Sequence, residues 1–324
     1  MAESEMRVVL VTGGGGLVGK AVQHCIENLG EKREGETWIF CTSKDADLTD
    51  LESTKQLIAK YKPTHILHLA ALVGGLYVNL ARNLDFFRVN MKINDNVLLA
   101  AHEANINKVV SCLSSCIFPD KIKYPIDESS LHLGPPHDSN FGYSYAKRMV
   151  EVLNRGYNDQ YGRQFVSVIP TNVFGPHDNF HLQNSHVIPG LIHKIYLRKQ
   201  DPIKNDFKVM GTGKPLRQFI FSHDLAKLMI WTVREYSEKK PLILSVGEKD
   251  EISIRDAVMN ICSALDYPFE NLQFDTTKSD GQYKKTVSNE KIVKLLPDFK
   301  FTPFDEAVKE TCDWFVKNFD SCRK

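Results

Sequence analysis

No apolar run in the sequence approaches the ~20 residues that a membrane-crossing helix needs, so no span is expected. The N-terminal stretch MAESEMRVVLVTGGG lacks a cationic segment ahead of its apolar residues and runs straight into a strand-like pattern, which argues against a secretory leader. Cysteine is sparse: seven residues, at 25, 41, 112, 116, 262, 312 and 322, with no C-x-x-C pair and no metal-ligand spacing. That argues against a disulfide framework and a metal site, and points to a reducing cytoplasm with free thiols. Neither sign of charge is in excess: 41 Lys and Arg against 40 Asp and Glu leave a formal net charge of +1. Nucleic acid and anionic membranes are therefore not expected partners. Internal repeats and low-complexity tracts are absent as well.

What is present is alternation. Short β-branched or apolar runs at Arg7–Thr12, Thr37–Thr42, His65–Ala71, Lys108–Leu113 and Phe165–Pro170 read as strands. Between them, Leu17–Leu29, Leu51–Tyr61, Asp85–Asn105 and Tyr143–Tyr161 carry apolar residues at helical spacing. This order predicts an α/β fold, a doubly wound parallel sheet of the Rossmann kind. After Pro176 the alternation breaks down, then returns in FSHDLAKLMIWTVREY and the strand Leu242–Val246. Residues 1–175, completed by about 218–247, are expected to form the dinucleotide domain. Residues 176–217 and 248–324, with helices near Val187–Arg198, Ser253–Leu265 and Phe304–Phe319, are expected to form a smaller α+β substrate domain.

TGGGGLVG, Thr12 to Gly19, follows the first strand and opens the first helix. Gly13, Gly16 and Gly19 have G-x-x-G-x-x-G spacing, which lets backbone N–H groups at Leu17, Val18 and Gly19 approach a pyrophosphate. A flexible glycine loop would match the same pattern; its place between strand and helix favours the nucleotide. Asp47 and Leu48 lie just past the second strand, where an adenine would lie, and Leu69, Ala70 and Ala71 end the third strand with room for a cofactor. The second strand ends in Thr42-Ser43-Lys44, without the acid that would bind a free ribose 2′-hydroxyl. Ser43 and Lys44 suit a 2′-phosphate, hence NADP over NAD, although Lys44 is equally readable as a solvated lysine.

In FGYSYAKR, Tyr143 and Lys147 are four residues apart and share a helix face. A lysine beside a phenol favours the phenolate, and such a tyrosine can give a proton to a carbonyl as hydride arrives. Tyr236 and Lys240 repeat the spacing, without the glycine turn and hydroxyl cluster that give Tyr143 its context. That cluster is LSSCIFPD, Leu113 to Asp120. On spacing alone Cys116 reads first as a small core residue, because free cysteines are mostly that.

Taken together, TGGGGLVG, Ser114 with Tyr143-x-x-x-Lys147, TNVFGP and RQFIFSHDLA resemble the extended short-chain dehydrogenase/reductase family over essentially the whole chain. HLAALVGGL, LSSCIFPD, FGYSYAKR, PTNVFGPHDNF and DTTKSDGQYKK resemble the branch that epimerises C3 and C5 of GDP-4-keto-6-deoxy-D-mannose and reduces C4 with NADPH, giving GDP-L-fucose. The resemblance implies that Cys116 and His186 move the epimerisation protons; the ordinary pKa values of a thiol and an imidazole, about 8.5 and 6.5, straddle neutrality. It implies that Ser114 bonds the C4 oxygen, Tyr143 protonates it, and Lys147 supports Tyr143 and the nicotinamide ribose. Pro170, Asn172 and Val173 would border the nicotinamide, and His186, Lys194, Met210, Arg217 and Asp280 would hold the GDP-sugar, with Arg217 near the diphosphate. It further implies a cytoplasmic homodimer joined through the helices at Asp85–Asn105 and Tyr143–Tyr161.

Three departures from the family pattern stand out. Gly15 and Ser43-Lys44 stand where bacterial members place arginines around the 2′-phosphate. Pro170 replaces an arginine, and Met210 replaces an aromatic before GTG. Another nucleotide-sugar reductase or 4-epimerase is the alternative enzyme, but it needs no thiol at position 116. A non-catalytic NADP(H)-sensing protein would be expected to lose the Ser114, Tyr143 and Lys147 set.

Overall fold

The computed structural model describes residues 6–278, 280 and 283–324. Strand β1 (Arg7–Thr12) shows why a sheet forms here: Val9 and Val11 enter one apolar layer and Leu10 the other, all fully buried. Helix α1 (Leu17–Asn28) buries Ala21, Val22, Cys25 and Ile26 on one stripe. The alternation continues through β2 (Glu36–Cys41), α2 (Leu51–Tyr61), β3 (His65–His68), α3 (Leu76–Glu103), β4 (Lys108–Cys112), α4 (Phe141–Tyr161) and β5 (Gln164–Pro170). Then follow β6 (Asn172–Phe174), α5 (Val187–Gln200), β7 (Lys208–Met210), β8 (Leu216–Arg217), β9 (Phe219–Phe221) and α6 (Ser222–Glu235). The chain closes with β10 (Leu242–Leu244), β11 (Ile252–Ser253), α7 (Ile254–Ala264), β12 (Gln273–Asp275), α8 (Glu290–Leu295) and α9 (Phe304–Lys317).

The main sheet is parallel, in the order β2-β1-β3-β4-β5-β10. Helices α1 and α6 cover one face, around Val22, Ile26, Leu228 and Met229. Helices α2, α3 and α4 cover the other, around Leu57, Leu98, Ala101 and Val150. From β1 the chain steps to β2 on one side and then to β3 on the other, so the strand order reverses between β1 and β3. In such sheets ligands bind at the carboxyl ends flanking that reversal. A third apolar cluster, including Ile192, Val258, Ile261, Val308 and Phe315, gathers α5, α7 and α9. It is edged by two-stranded pairs: β7 with β12 in parallel and β8 with β11 antiparallel. No helix among the described residues is long and apolar enough to cross a membrane.

Two boundaries differ from the sequence reading by three residues or more. Strand β3 stops at His68 rather than Ala71, because the Leu69 and Ala70 N–H groups turn to the backbone carbonyl and hydroxyl of Thr12 (3.2 and 3.3 Å). Helix α3 begins at Leu76 rather than Asp85; Arg82 has non-helical angles (φ −136°, ψ 32°), and the segment before this kink is a separate short helix.

His68 joins β1, β3 and α3 below the glycine turn. Its Nε2–H donates to Asn94 Oδ1 (3.1 Å), and its Nδ1 accepts from the Thr12 hydroxyl (2.8 Å). This arrangement needs a neutral ring. Burial, reinforced by the charge on Lys147, brings the His68 pKa down to about 3. The unfolded chain therefore gains a proton below about 6.5 that the native state refuses until about 3. Stability should fall on acidification across that window, by about 1.4 kcal/mol per pH unit for the one proton. The slope of unfolding free energy against pH, read from urea midpoints, should be shallower in His68→Asn by that amount. Identical slopes would contradict the assignment.

Candidate active site

The nucleotide end is built by close backbone approach. Gly13 has φ +72°, and a Cβ there would lie 2.8 Å from the backbone nitrogen of Ala70. A Cβ on Gly19 would lie 2.6 Å from the Gly13 carbonyl oxygen. Glycine at 13 and 19 thus lets the turn fold against the end of β3 and against itself. Gly16 starts α1 with no side-chain cap and no acidic residue in the first turn. The N–H groups at Leu17, Val18 and Gly19 stay available, and the positive helix end favours an anion.

Around this turn, Asn90 holds the loop after Ala71 through both polar groups of the Leu72 backbone (2.9 and 3.0 Å). Asn96 donates to the carbonyl of Leu48 (3.0 Å), and the Asp47 carboxylate accepts from the Thr49 N–H and hydroxyl (2.9 and 2.8 Å). Ser43 and Lys44 are exposed just past β2. The nearest acid, Asp45, is turned back: its carboxylate takes the Thr42 N–H and hydroxyl at 2.7 and 2.9 Å. Pro170 ends β5 opposite Leu244. Asn172 is tied to the Gln218 carbonyl (3.0 Å), and Val173 packs against the α1 and α6 layer.

The hydroxyl and thiol cluster sits where β4 ends. Residues Ser115–Ile117 form a single 3₁₀ turn, and the Ser114 Oγ accepts the Cys116 N–H (3.4 Å). Two consecutive residues of α4 hold this turn in place. Lys147 donates to the Cys112 carbonyl (2.7 Å) on one side. Arg148 donates to the Ile117 carbonyl (3.0 Å) and the Gly134 carbonyl (2.8 Å) on the other. Tyr143 lies one turn before Lys147, whose Nζ is 6.0 Å from the phenol ring centre. Phe86 of α3 meets the Tyr143 ring edge-on (6.5 Å). Gly142 makes that approach possible, since a Cβ there would lie 1.9 Å from the Asn83 carbonyl oxygen. The structure therefore brings Ser114, Cys116, Tyr143 and Lys147 to one place.

The electrostatics of the cluster fit proton delivery. Burial pushes the Tyr143 pKa well above its usual 10, and charge on Cys116 and Cys112 would push it further. The phenol is therefore protonated at neutral pH. Burial lowers the Lys147 pKa, opposed by those same thiols. His186 stands exposed at the N-cap of α5 and makes no side-chain cap bond; no contact among the described residues joins it directly to the Ser114 and Cys116 turn. Desolvation by the protein around His186 lowers its pKa below the ordinary imidazole value. Its loop leans on the turn after β3: a Cβ on Gly75 would lie 3.3 Å from the Ser185 carbonyl oxygen.

The remaining residues lie on the third-cluster side. Lys194 is on α5, with its pKa lowered by burial, and Met210 ends β7 exposed. Arg217 is on β8, with Nη1 on the Leu216 carbonyl (2.7 Å). Asp280 folds onto the Gly211 turn, accepting from Thr212 N–H (2.6 Å) and hydroxyl (2.7 Å). Ser279, Gly281 and Gln282 of the same motif lie outside the described residues.

Sequence reasoning missed Lys285, Arg148 and Gly142. Lys285 lies in a segment without regular secondary structure, next to Lys284, which pairs with Glu248 and Glu251 (2.7 and 3.3 Å), so no periodic pattern marks it in the sequence. Burial lowers its pKa, and charge on Cys116 and Asp120 opposes that.

Comparison with known proteins gives a consistent picture. Residues 9–247 match the NAD dependent epimerase/dehydratase family. The chain is 56% identical over 318 residues to GDP-L-fucose synthase of Dictyostelium discoideum, covering 98% of each chain. It is 53% identical to a probable GDP-L-fucose synthase of Drosophila melanogaster, over 98% of this chain and all of that one. The crystal structure of a GDP-L-fucose synthetase from Naegleria fowleri bound to NADP superposes with a TM-score of 0.93 at 48% identity, over 100% of this chain and 97% of that one. The chain belongs to the NAD dependent epimerase/dehydratase family and, within it, to the GDP-L-fucose synthases.

Proposed function

We propose that the chain is an NADPH-dependent, bifunctional enzyme that epimerises C3 and C5 of GDP-4-keto-6-deoxy-D-mannose and reduces C4, giving GDP-L-fucose. One observation carries the reading. The Cys116 thiol shares a turn with the Ser114 hydroxyl and lies within electrostatic reach of Tyr143 and Lys147. A reductase alone has no use for a thiol there.

The residues present fit the cofactor. The uncapped start of α1 faces outward beside a glycine turn that any side chain at 13 or 19 would fill. Leu17, Val18 and Gly19 would hold the pyrophosphate, Ser43 and Lys44 the 2′-phosphate, and Asn172 and Val173 the nicotinamide side. When bound, NADPH supplies the hydride that goes to C4.

The rest is proton chemistry of the chain's own residues. The C4 ketone acidifies the hydrogens at C3 and C5. Inversion needs one group to take a proton and another to return one from the opposite face, and Cys116 and His186 divide that work. Ser114 donates to the C4 oxygen as negative charge gathers there. Tyr143, kept protonated by burial, gives its proton to that oxygen during reduction, and the Lys147 cation stabilises the phenolate left behind. Arg217, Lys194, Asp280 and Met210 line the path for the GDP moiety.

Residues 1–175 with 218–247 form the cofactor domain, and 176–217 with 248–324 form the nucleotide-sugar domain. Helices α3 and α4 pack together and leave Leu84, Leu80 and Phe141 exposed, which supports a homodimer through this pair. The chain acts in the cytoplasm, in keeping with its free thiols.

The test is to incubate the enzyme with GDP-4-keto-6-deoxy-D-mannose and NADPH and to identify the sugar. GDP-L-fucose in one-to-one ratio with NADPH consumed is expected. An unepimerised 6-deoxy sugar as sole product would mark a plain reductase, and unchanged substrate with intact NADPH would contradict both enzyme readings.

A further inference from the structure

The loop from Gly175 to His186 is fixed firmly at both ends. At one end Phe180 is fully buried, 4.5 Å from Phe315 between ring centres. Its N–H donates to the Arg323 carbonyl (2.8 Å), and its carbonyl accepts from His193 Nδ1 (2.7 Å). At the other end α5 begins, with Ile188 and Ile192 buried in the third cluster. Residues 181–185 must span the gap and lead to His186 at the start of α5.

Most of the hydrogen bonds inside that span involve one residue, His181, two of them through its side chain. His181 Nδ1 accepts the backbone N–H of Gln183 (3.1 Å) and of Asn184 (3.2 Å). The His181 carbonyl accepts the Ser185 N–H (3.1 Å). The His181 N–H in turn donates to Asn179 Oδ1 (3.1 Å), and Asn179 Nδ2 donates to the Asn184 carbonyl (3.4 Å). An imidazole nitrogen that takes two N–H donors must carry its lone pair, so the ring is neutral with its proton on Nε2. The side chain does what an Asp or Asn does in a side-chain-capped turn, but with a longer reach.

We propose that His181 is a positioning residue for epimerisation: its ring nitrogen sets the turn that places the His186 imidazole against the sugar. This rests on the reading of His186 as a proton carrier. The hydrogen bonds of His181 among the described residues all stay within residues 179–185, away from Ser114, Tyr143 and Lys147, so the effect should fall on proton exchange alone. Misplacement of a reacting group by about 1 Å costs up to ~10² in rate.

Three variants test it: His181→Ala, His181→Asn and His186→Gln. Each is assayed for solvent deuterium exchange into the keto sugar without NADPH, and for NADPH oxidation by the already epimerised ketone. His181→Ala should lose exchange by about 10- to 100-fold while keeping hydride transfer. His181→Asn puts an acceptor oxygen close to the place of Nδ1 and should restore exchange to within about threefold. Normal exchange in His181→Ala overturns the proposal, as does an equal loss in Ala and Asn or a parallel loss of exchange and hydride transfer. If His186→Gln also exchanges normally at both carbons, the role of His186 itself is wrong; if only His186→Gln fails, the positioning by His181 alone is wrong.

Discussion

Tyr143→Phe slows reduction of the C4 ketone by on the order of 10²–10⁴ and leaves NADPH binding unchanged. The phenylalanine ring keeps the edge contact with Phe86 and the packing of α4, so the fold and the cofactor turn stay intact. What is lost is a buried phenol that keeps its proton at neutral pH. Lys147 cannot substitute for it, because its ammonium is committed to the Cys112 carbonyl (2.7 Å) and lies 6.0 Å from the ring centre. Proton exchange at C3 and C5 should continue, since that work belongs to Cys116 and His186. Single-turnover NADPH oxidation, followed by absorbance with the epimerised ketone, measures the effect. Near-normal oxidation would remove Tyr143 from the mechanism.

Much of this arrangement is legible in the sequence, for physical reasons that can be named. β1 and the glycine turn are legible because a β-branched run, Gly13 at positive φ and an uncapped helix start are local features. The sharing of a face by Tyr143 and Lys147 follows from helical spacing alone. The first part of α3 is hidden because the kink at Arg82 interrupts its period. The paired strands β6 with β9, β7 with β12, and β8 with β11 are two or three residues each, too short to leave a pattern. Arg148 and His181 act through backbone carbonyls and N–H groups that only the fold brings near them. Cys116 is different again: its spacing says no more than core cysteine, and the chemical reading came from resemblance. The structure leaves Cys116 half-buried in the Ser114 turn, packed against the second apolar layer and within electrostatic reach of Lys147 and Arg148.

Cys116→Ser should therefore separate the two activities. Serine keeps the size and the backbone turn, and the Ser114 bond to the residue 116 N–H is unaffected. A serine hydroxyl is far too weak an acid to exchange protons near neutrality as a thiol does. The ketone, Tyr143, Lys147 and the cofactor turn all remain, so hydride still reaches C4. A core cysteine changed to serine would instead cost some stability and leave turnover per folded molecule as it was. The decisive measurement is mass spectrometry of deuterium uptake from heavy water into GDP-4-keto-6-deoxy-D-mannose without NADPH, wild type against Cys116→Ser, followed by addition of NADPH. The account predicts uptake at C3 and C5 in the wild type, uptake reduced by on the order of 10² or more in the variant, and then direct reduction to an unepimerised 6-deoxy sugar. A variant that binds NADPH and still takes up deuterium at the wild-type rate would contradict it.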